Sequence, residues 1–284
     1  TSLAMRGTRF HNGVSRIHGR VASQMEGYIW PEVPPEDNPV GYVTNGVHVP
    51  TFLARDWVNF FDTRFGGQWR NELLDENAWD HIDEIPDHRF WSLRLSLKAE
   101  LLTDVSGRAT LQHRRNGLTA AQIERITRYL TPKEPDILTV GFARRFATYK
   151  RATLLFSDPE RLRRLLTDPE RPIQLIFSGK AHPHDVPGKN LIRDIVKFAN
   201  QPELRSKIVF LENYDMTTAK YLVSGSDLWL NTPRRPLEAS GTSGMKAAVN
   251  GVLNCSTLDG WWAEAYDPSI GWAIGNGEEY EDPD

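Results

Sequence analysis

The stretch DILTVGFARRFATYKR, residues 136–151, decides the fold. Its first half is a nearly unbroken apolar run of the length of one strand, and a run without polar alternation suits a strand buried on both faces. Four more such runs follow: IQLIFSG at 173–179, KIVFLEN at 207–213, DLWLNT at 227–232 and GVLNCSTLDG at 251–260. Between them lie helical patterns. RATLLFSDPERLRRLLTD carries an Asp158–Pro159 pair suited to an N-cap and first helical position, and GKNLIRDIVKFAN sets Leu191, Ile192, Ile195 and Val196 on one stripe. With DMTTAKYLVSGS as a third crossover, the series predicts an α/β fold, a Rossmann-like doubly wound parallel sheet whose ligands sit beyond the C-terminal ends of the strands.

Working outward, residues 1–130 read as a mainly helical segment: NGVSRIHGRVASQM, the Pro-rich break WPEVPPEDNP, then long patterns over 87–112 and 119–130. Gly117 and TPKEPD at 131–136 mark the expected boundary, which makes 131–284 the sheet domain. The 284 residues are 39% hydrophobic and 25% charged with a net charge of −3, enough to bury a sizeable core and too mixed for a generic nucleic-acid or anionic-membrane surface. A single cysteine, Cys255, excludes an intramolecular disulfide and a Cys-based zinc site and fits a reducing, cytoplasmic location. No run reaches the length of a membrane helix, and TSLAMRGTRFHNG lacks the apolar core of a signal peptide. A start at Thr1 without methionine and an end at EEYEDPD lead to the expectation that the chain is a piece of a longer polypeptide.

Chemistry concentrates where this sheet puts strand ends. Arg144, Arg145, Lys150 and Arg151 follow directly on the first strand, where they are expected to open a helix; guanidinium forks and helix N–H groups would converge there on phosphate. The local sequence supplies no carboxylate to neutralise them. The second segment is EASGTSGMKAAVNG, 238–251. Gly241 and Gly244 are expected to let backbone approach a ligand, and Ser240, Thr242 and Ser243 add hydroxyls ahead of a helix. The spacing is neither a dinucleotide fingerprint nor a Walker loop. A partly desolvated Lys246 in that cation-rich setting would have a lowered pKa, as a carbonyl-cofactor lysine requires. VTNGVHVP, with Asn45 and Gly46, reads as a turn; AHPHD sets His182 and His184 two apart without the further ligands a metal site needs; Trp261–Trp262 suits sugar stacking or core.

These segments resemble the α-glucan phosphorylases. RRFATYKR is similar to their KRIHEYKR segment, and EASGTSGMKAAVNG…TLDG to their pyridoxal-phosphate segment EASGTGNMKFMLNG…TMDG; NGVSRIHG, TNGVHVP, SGKAHP and FLENYDM keep the family's order. The wording VTNGVHVPTF and DGWWAE resembles the short bacterial glycogen or maltodextrin phosphorylase branch. The resemblance implies the C-terminal lobe of a GT-B fold, with part of the site supplied by an N-terminal lobe that this chain mostly lacks, so that the isolated chain would not turn over. It implies pyridoxal 5'-phosphate held by Lys246 as a Schiff base beside Tyr214, with Arg144 and the backbone at Gly241, Thr242 and Ser243 around its phosphate. Arg145 and Lys150 would hold inorganic phosphate, and Glu238, Ser240, Gly241 and Asn45 would contact the transferred sugar. Many family members carry lysine where Arg144 stands, which exchanges a point charge for a planar fork. The implied reaction is retaining glucosyl transfer from α-1,4-glucan (glycogen, maltodextrin) to phosphate, giving α-D-glucose 1-phosphate in a cytoplasmic homo-oligomer. Two other readings accompany it: a nucleotide-sugar glucosyltransferase of glycogen-synthase type, which has no need of a lysine inside GTSGMK, and a non-catalytic glucan-binding module.

Overall fold

The computed structural model describes residues 1–133 and 136–280. Two positions of the expected boundary segment, 134 and 135, and the last four residues of the chain lie outside the described residues. The first part carries a small parallel pair, β1 (His11–Gly13) and β2 (Val40–Tyr42), which the helical reading of 1–130 did not anticipate. The helix Arg16–Met25 connects them, capped by Ser15, whose hydroxyl accepts the His18 amide.

The main sheet has six parallel strands: β3 (Leu138–Ala143), β4 (Ile173–Ser178), β5 (Ile208–Leu211), β6 (Leu228–Asn231), β7 (Leu253–Thr257) and β8 (Gly271–Ile274). Their spatial order is β5-β4-β3-β6-β7-β8. The chain therefore builds outward from β3 in one direction, returns, and builds outward from β6 in the other. This is the doubly wound arrangement expected from the apolar runs, with β8 as an additional strand. That edge strand is four residues long and exposes Trp272, so it lacks the continuous apolar signature of the buried strands.

Both faces of the sheet are covered. On one, Val140, Phe142, Leu175 and Phe177 pack with Leu162 and Leu166 of the helix Pro159–Leu166 and Ile195 of the helix Val186–Ala199. Asp158 caps the first of these through the Arg161 amide at 3.0 Å, as the Asp–Pro pair predicts. On the other, Ile176, Val209, Leu211 and Trp229 meet Leu101, Leu102, Val105 and Ala109 of the 29-residue helix Asp87–Arg115. Burying each such leucine favours the fold by about 1.5–3 kcal/mol.

Buried cations on this long helix tie it to the sheet. Lys98 donates to the Ile137 carbonyl at 2.7 Å and to Asp227 Oδ2 at 2.6 Å. Arg94 donates to the carbonyls of Ser224 and Ser226, at the C-terminus of the helix Met216–Gly225, and to that of Asn250 at 2.9 Å. Burial pushes its guanidinium down to about 10, the nearby Asp227 partly opposing the shift. Arg94→Met takes the guanidinium away from these carbonyls, of which that of Asn250 keeps the Trp57 Nε1 donor at 3.1 Å, and urea unfolding is expected to show a loss of about 2–4 kcal/mol; a loss below about 0.5 kcal/mol, within the range of an ordinary surface substitution, would show that water or a rearranged neighbour replaces the guanidinium.

Candidate active site

Strand order reverses between β3 and β6, and a parallel sheet opens a crevice beyond its strand ends at such a reversal. Arg144 leaves β3 at that point and Asn231 ends β6. They are joined across it: Arg144 Nη1 donates to Asn231 Oδ1 at 2.9 Å. The other end of the fork, Nη2, is ion-paired with Glu238 Oε2, which also accepts from Lys150 Nζ at 2.8 Å. The three charged side chains are 7%, 12% and 9% exposed, in the order Arg144, Glu238, Lys150. Two cations against one carboxylate leave this trio with one excess positive charge. Glu238 is 94 and 88 residues from its partners along the chain, so tertiary structure supplies the counter-ion that the local sequence lacks.

Arg144 reaches the crevice from the extended end of β3 and Lys150 from the turn that follows it. The helix expected to open at these cations does not start there: two 3₁₀ turns, Thr148–Lys150 and Leu154–Phe156, come first, and the helix Pro159–Leu166 begins eight residues after Arg151. The Phe146 amide continues the ladder by bonding the Lys180 carbonyl at 2.9 Å, and Arg151 ends the first turn in the left-handed region at φ 44°. Arg151 itself points elsewhere, donating to the Thr232 and Pro233 carbonyls at 3.0 and 3.1 Å, so it braces the β6 loop and leaves the cation group. Arg145 is exposed and has no ion pair among the described residues.

Gly241 (φ +82°) begins the helix Thr242–Ala248, which has no side-chain N-cap. The expectation that Gly244 lets a ligand approach is corrected here. A Cβ on it would lie 2.7 Å from Asn254 Oδ1 and 2.9 Å from Trp261 Nε1, so protein atoms already use that space. Ser243 Oγ accepts from Trp229 Nε1 at 3.3 Å, Thr242 is half-buried, and among the described residues the buried Ser240 hydroxyl has no hydrogen-bond partner, nor has Arg144 Nε. Of the tryptophan pair, Trp262 is core at 1% exposure.

Lys246 is half-buried, with Nζ 4.3 Å from the centre of the Phe52 ring and no carboxylate paired with it among the described residues. Burial lowers its pKa from the ordinary lysine value, which favours the neutral amine. Asn250 holds this contact together. Its amide nitrogen donates to the Phe52 and Lys246 carbonyls at 2.8 and 2.9 Å while its oxygen accepts the Ala54 amide at 2.8 Å. Tyr214, before the helix Met216–Gly225, is half-buried; burial raises its pKa and the Arg144 charge partly opposes that. Asn45 lies on the exposed segment after β2, its amide bonded to the Val14 carbonyl at 3.0 Å. Its neighbour Thr44 reaches the sheet part through Glu264 Oε2 at 2.8 Å.

Spacing gave no sign of Asn231 or Phe52, and the carboxylate in TLDG was the available signal for Asp259. That buried side chain accepts the Glu238 amide at 2.8 Å and the Gly260 amide at 2.9 Å. Among the described residues no group of three or more His, Cys, Asp or Glu is arranged to hold a metal ion; the His182 and His184 rings lie tilted, centres 5.5 Å apart, and His182 Nδ1 accepts the His184 amide at 3.2 Å.

Residues 1–268 match the family model described as carbohydrate phosphorylase. The chain belongs to that family. Among its relatives, a maltodextrin phosphorylase from Thermococcus litoralis is 43% identical over 276 residues, covering 97% of this chain and 32% of the relative. A Mycobacterium tuberculosis glycogen phosphorylase is 46% identical over 93% of the chain and 30% of the relative, and one from Aquifex aeolicus 41% identical over 98% and 39%. The chain thus spans about a third of the length of these curated relatives. Membership in a phosphorylase family separates it from the nucleotide-sugar reading. No described helix is long and apolar enough to cross a membrane.

Asp259 adds a pH dependence. Burial, reinforced by the Glu238 charge and opposed by its two backbone hydrogen bonds, raises its pKa to about 6. A carboxyl raised in the fold stabilises it below the ordinary pKa, and this contribution is lost as pH rises through about 6. Relative to wild type, Asp259→Asn is therefore expected to gain on the order of 2–3 kcal/mol between about pH 4 and pH 7, read from denaturant unfolding at both; a pH-independent difference would contradict it.

Proposed function

We propose that this chain forms the cofactor- and phosphate-binding part of an α-1,4-glucan phosphorylase, which transfers glucosyl units from glycogen or maltodextrin to inorganic phosphate with retention and releases α-D-glucose 1-phosphate. One observation carries the reading: buried Arg144 and Lys150 meet on Glu238 at the sheet's reversal point, while the half-buried Lys246 amine has no carboxylate partner among the described residues.

The residues fit pyridoxal 5'-phosphate. A lysine with a depressed pKa suits a carbonyl partner, while Arg144 Nε and the Ser240 hydroxyl are buried polar atoms still lacking partners. When bound, the cofactor supplies a phosphate group able to exchange a proton with the substrate phosphate. Lys246 would tether it, Tyr214 would lie beside it, and Arg144 with the backbone at Gly241, Thr242 and Ser243 would hold its phosphate. Arg145, exposed and without an ion pair among the described residues, takes the incoming phosphate together with Lys150. Two phosphates held close repel strongly in a site that excludes water, and these cations offset that repulsion at the moment negative charge gathers. Glu238 accepts hydrogen bonds from sugar hydroxyls, with Ser240, Gly241 and Asn45 completing recognition. Its pairing with Arg144 and Lys150 keeps both cations in place before ligands arrive.

A cytoplasmic location and a homo-oligomeric enzyme, with no nucleic-acid or membrane partner, belong to the same proposal. Reconstitution with pyridoxal 5'-phosphate is expected to give a near-ultraviolet absorbance band that borohydride fixes to the Lys246 peptide, and Lys246→Ala to abolish it. In an enzyme of full family length carrying this sequence, Arg145→Ala is expected to lower phosphate-dependent release of glucose 1-phosphate by about 100-fold or more. Full activity in both variants would overturn the mechanism.

A further inference from the structure

Residues 258–262, which follow β7, form a bed under the loop 238–241. Asp259, 3% exposed, accepts the Glu238 amide on one carboxyl oxygen and the Gly260 amide on the other. The Trp261 amide donates to the Ser240 carbonyl at 2.8 Å. Gly260 closes so tightly that a Cβ on it would lie 2.4 Å from the Ser240 carbonyl oxygen, and at φ +54° it favours glycine. A Cβ built on Gly241 would meet the Trp261 ring at 3.3 Å. Upstream, Arg235 Nη1 holds the Leu258 carbonyl at 2.6 Å, tying the start of the bed to the start of the loop.

A turn needing only an acceptor for two amides could use neutral carbonyls. This one uses a buried carboxyl one residue contact away from a second carboxylate, a combination that costs stability at neutral pH and collects at working sites. The backbone of residue 238 is where that cost has an effect. Glu238 meets Arg144 and Lys150 through one oxygen, so a small rotation of its Cα would break both pairs at once.

We propose that Asp259 is a positioning residue: by holding the Glu238 amide while Gly260 closes on the Ser240 carbonyl, it sets where the Glu238 carboxylate stands between Arg144 and Lys150, and with it the point at which sugar hydroxyls are read. The last clause rests on the proposed role of Glu238 in sugar recognition. Asp259 touches neither sugar nor phosphate in this scheme and acts through the backbone of 238.

The test uses Asp259→Ala and Asp259→Asn in an enzyme of full family length carrying this sequence, alone and combined with Glu238→Gln. Asp259→Ala is expected to lower kcat by about 10- to 100-fold at wild-type cofactor content, and Asp259→Asn, which keeps one acceptor oxygen, to recover at least about half of that loss on a logarithmic scale. In the Glu238→Gln background, Asp259→Ala is expected to cost less than about threefold more, because its target is already impaired. Equal fold-losses in both backgrounds, or a loss that tracks cofactor content, would overturn the proposal. Should wild type itself release no glucose 1-phosphate, the functional reading fails separately and amide hydrogen exchange judges the placement of Glu238. Faster exchange over 236–244 in Asp259→Ala, with 144–150 unchanged, supports it, and unchanged exchange over 236–244 overturns it.

Discussion

The reversal of strand order between β3 and β6 is the constraint on which the rest depends. Adjacent parallel strands end on the same side of the sheet, and when their crossovers leave in opposite directions nothing covers the gap between them. Arg144 and Asn231 occupy the two lips of that gap and bond across it. Three further charged groups of the site are placed relative to this bond: Lys150 by the turn that follows Arg144, Glu238 by the loop that follows Asn231, and Asp259 by the neighbouring strand β7.

Charge balance explains how such a gap is stable in a folded chain. Unpaired cations at this burial would be costly, and Glu238 offsets that cost for two of them while leaving a net positive charge. Lys246 follows a different rule. Its amine has an aromatic face and, among the described residues, no carboxylate, which lowers the desolvation cost through the ring's electrostatics without fixing the proton as a salt bridge would. Asn250 links the two sides of that contact, and Arg94 secures the Asn250 carbonyl, so buried hydrogen bonds tie together the long helix, the segment around Phe52 and the Lys246 helix.

Much of the sheet was legible because strands covered on both faces must be apolar throughout. VGFA, LIFS, IVFL and LWLN leave few other readings once they recur between helical patterns. The edge strand β8 escaped for the converse reason, since one side of it meets solvent. After β3 a basic run looked like a helix start, yet the Phe146 amide found a ladder partner at Lys180 and the chain stayed extended. Gly244 looked like room for a ligand and proved to be room for Trp261. In each case a tertiary neighbour outweighed local composition.

The sequence by itself determined the class of the fold, the family, and which residue types cluster at the strand ends, because hydrophobic period and motif spacing are properties of neighbours along the chain. Only the tertiary structure decided which charges meet. Glu238 finds Arg144 and Lys150, Asp259 finds the Glu238 amide, Phe52 finds Lys246, and Arg151 turns away to the Thr232 and Pro233 carbonyls. Most of these partners lie tens to hundreds of residues apart, and an ion pair or a buried hydrogen bond depends on separation in space, to which chain spacing is indifferent once the backbone has folded.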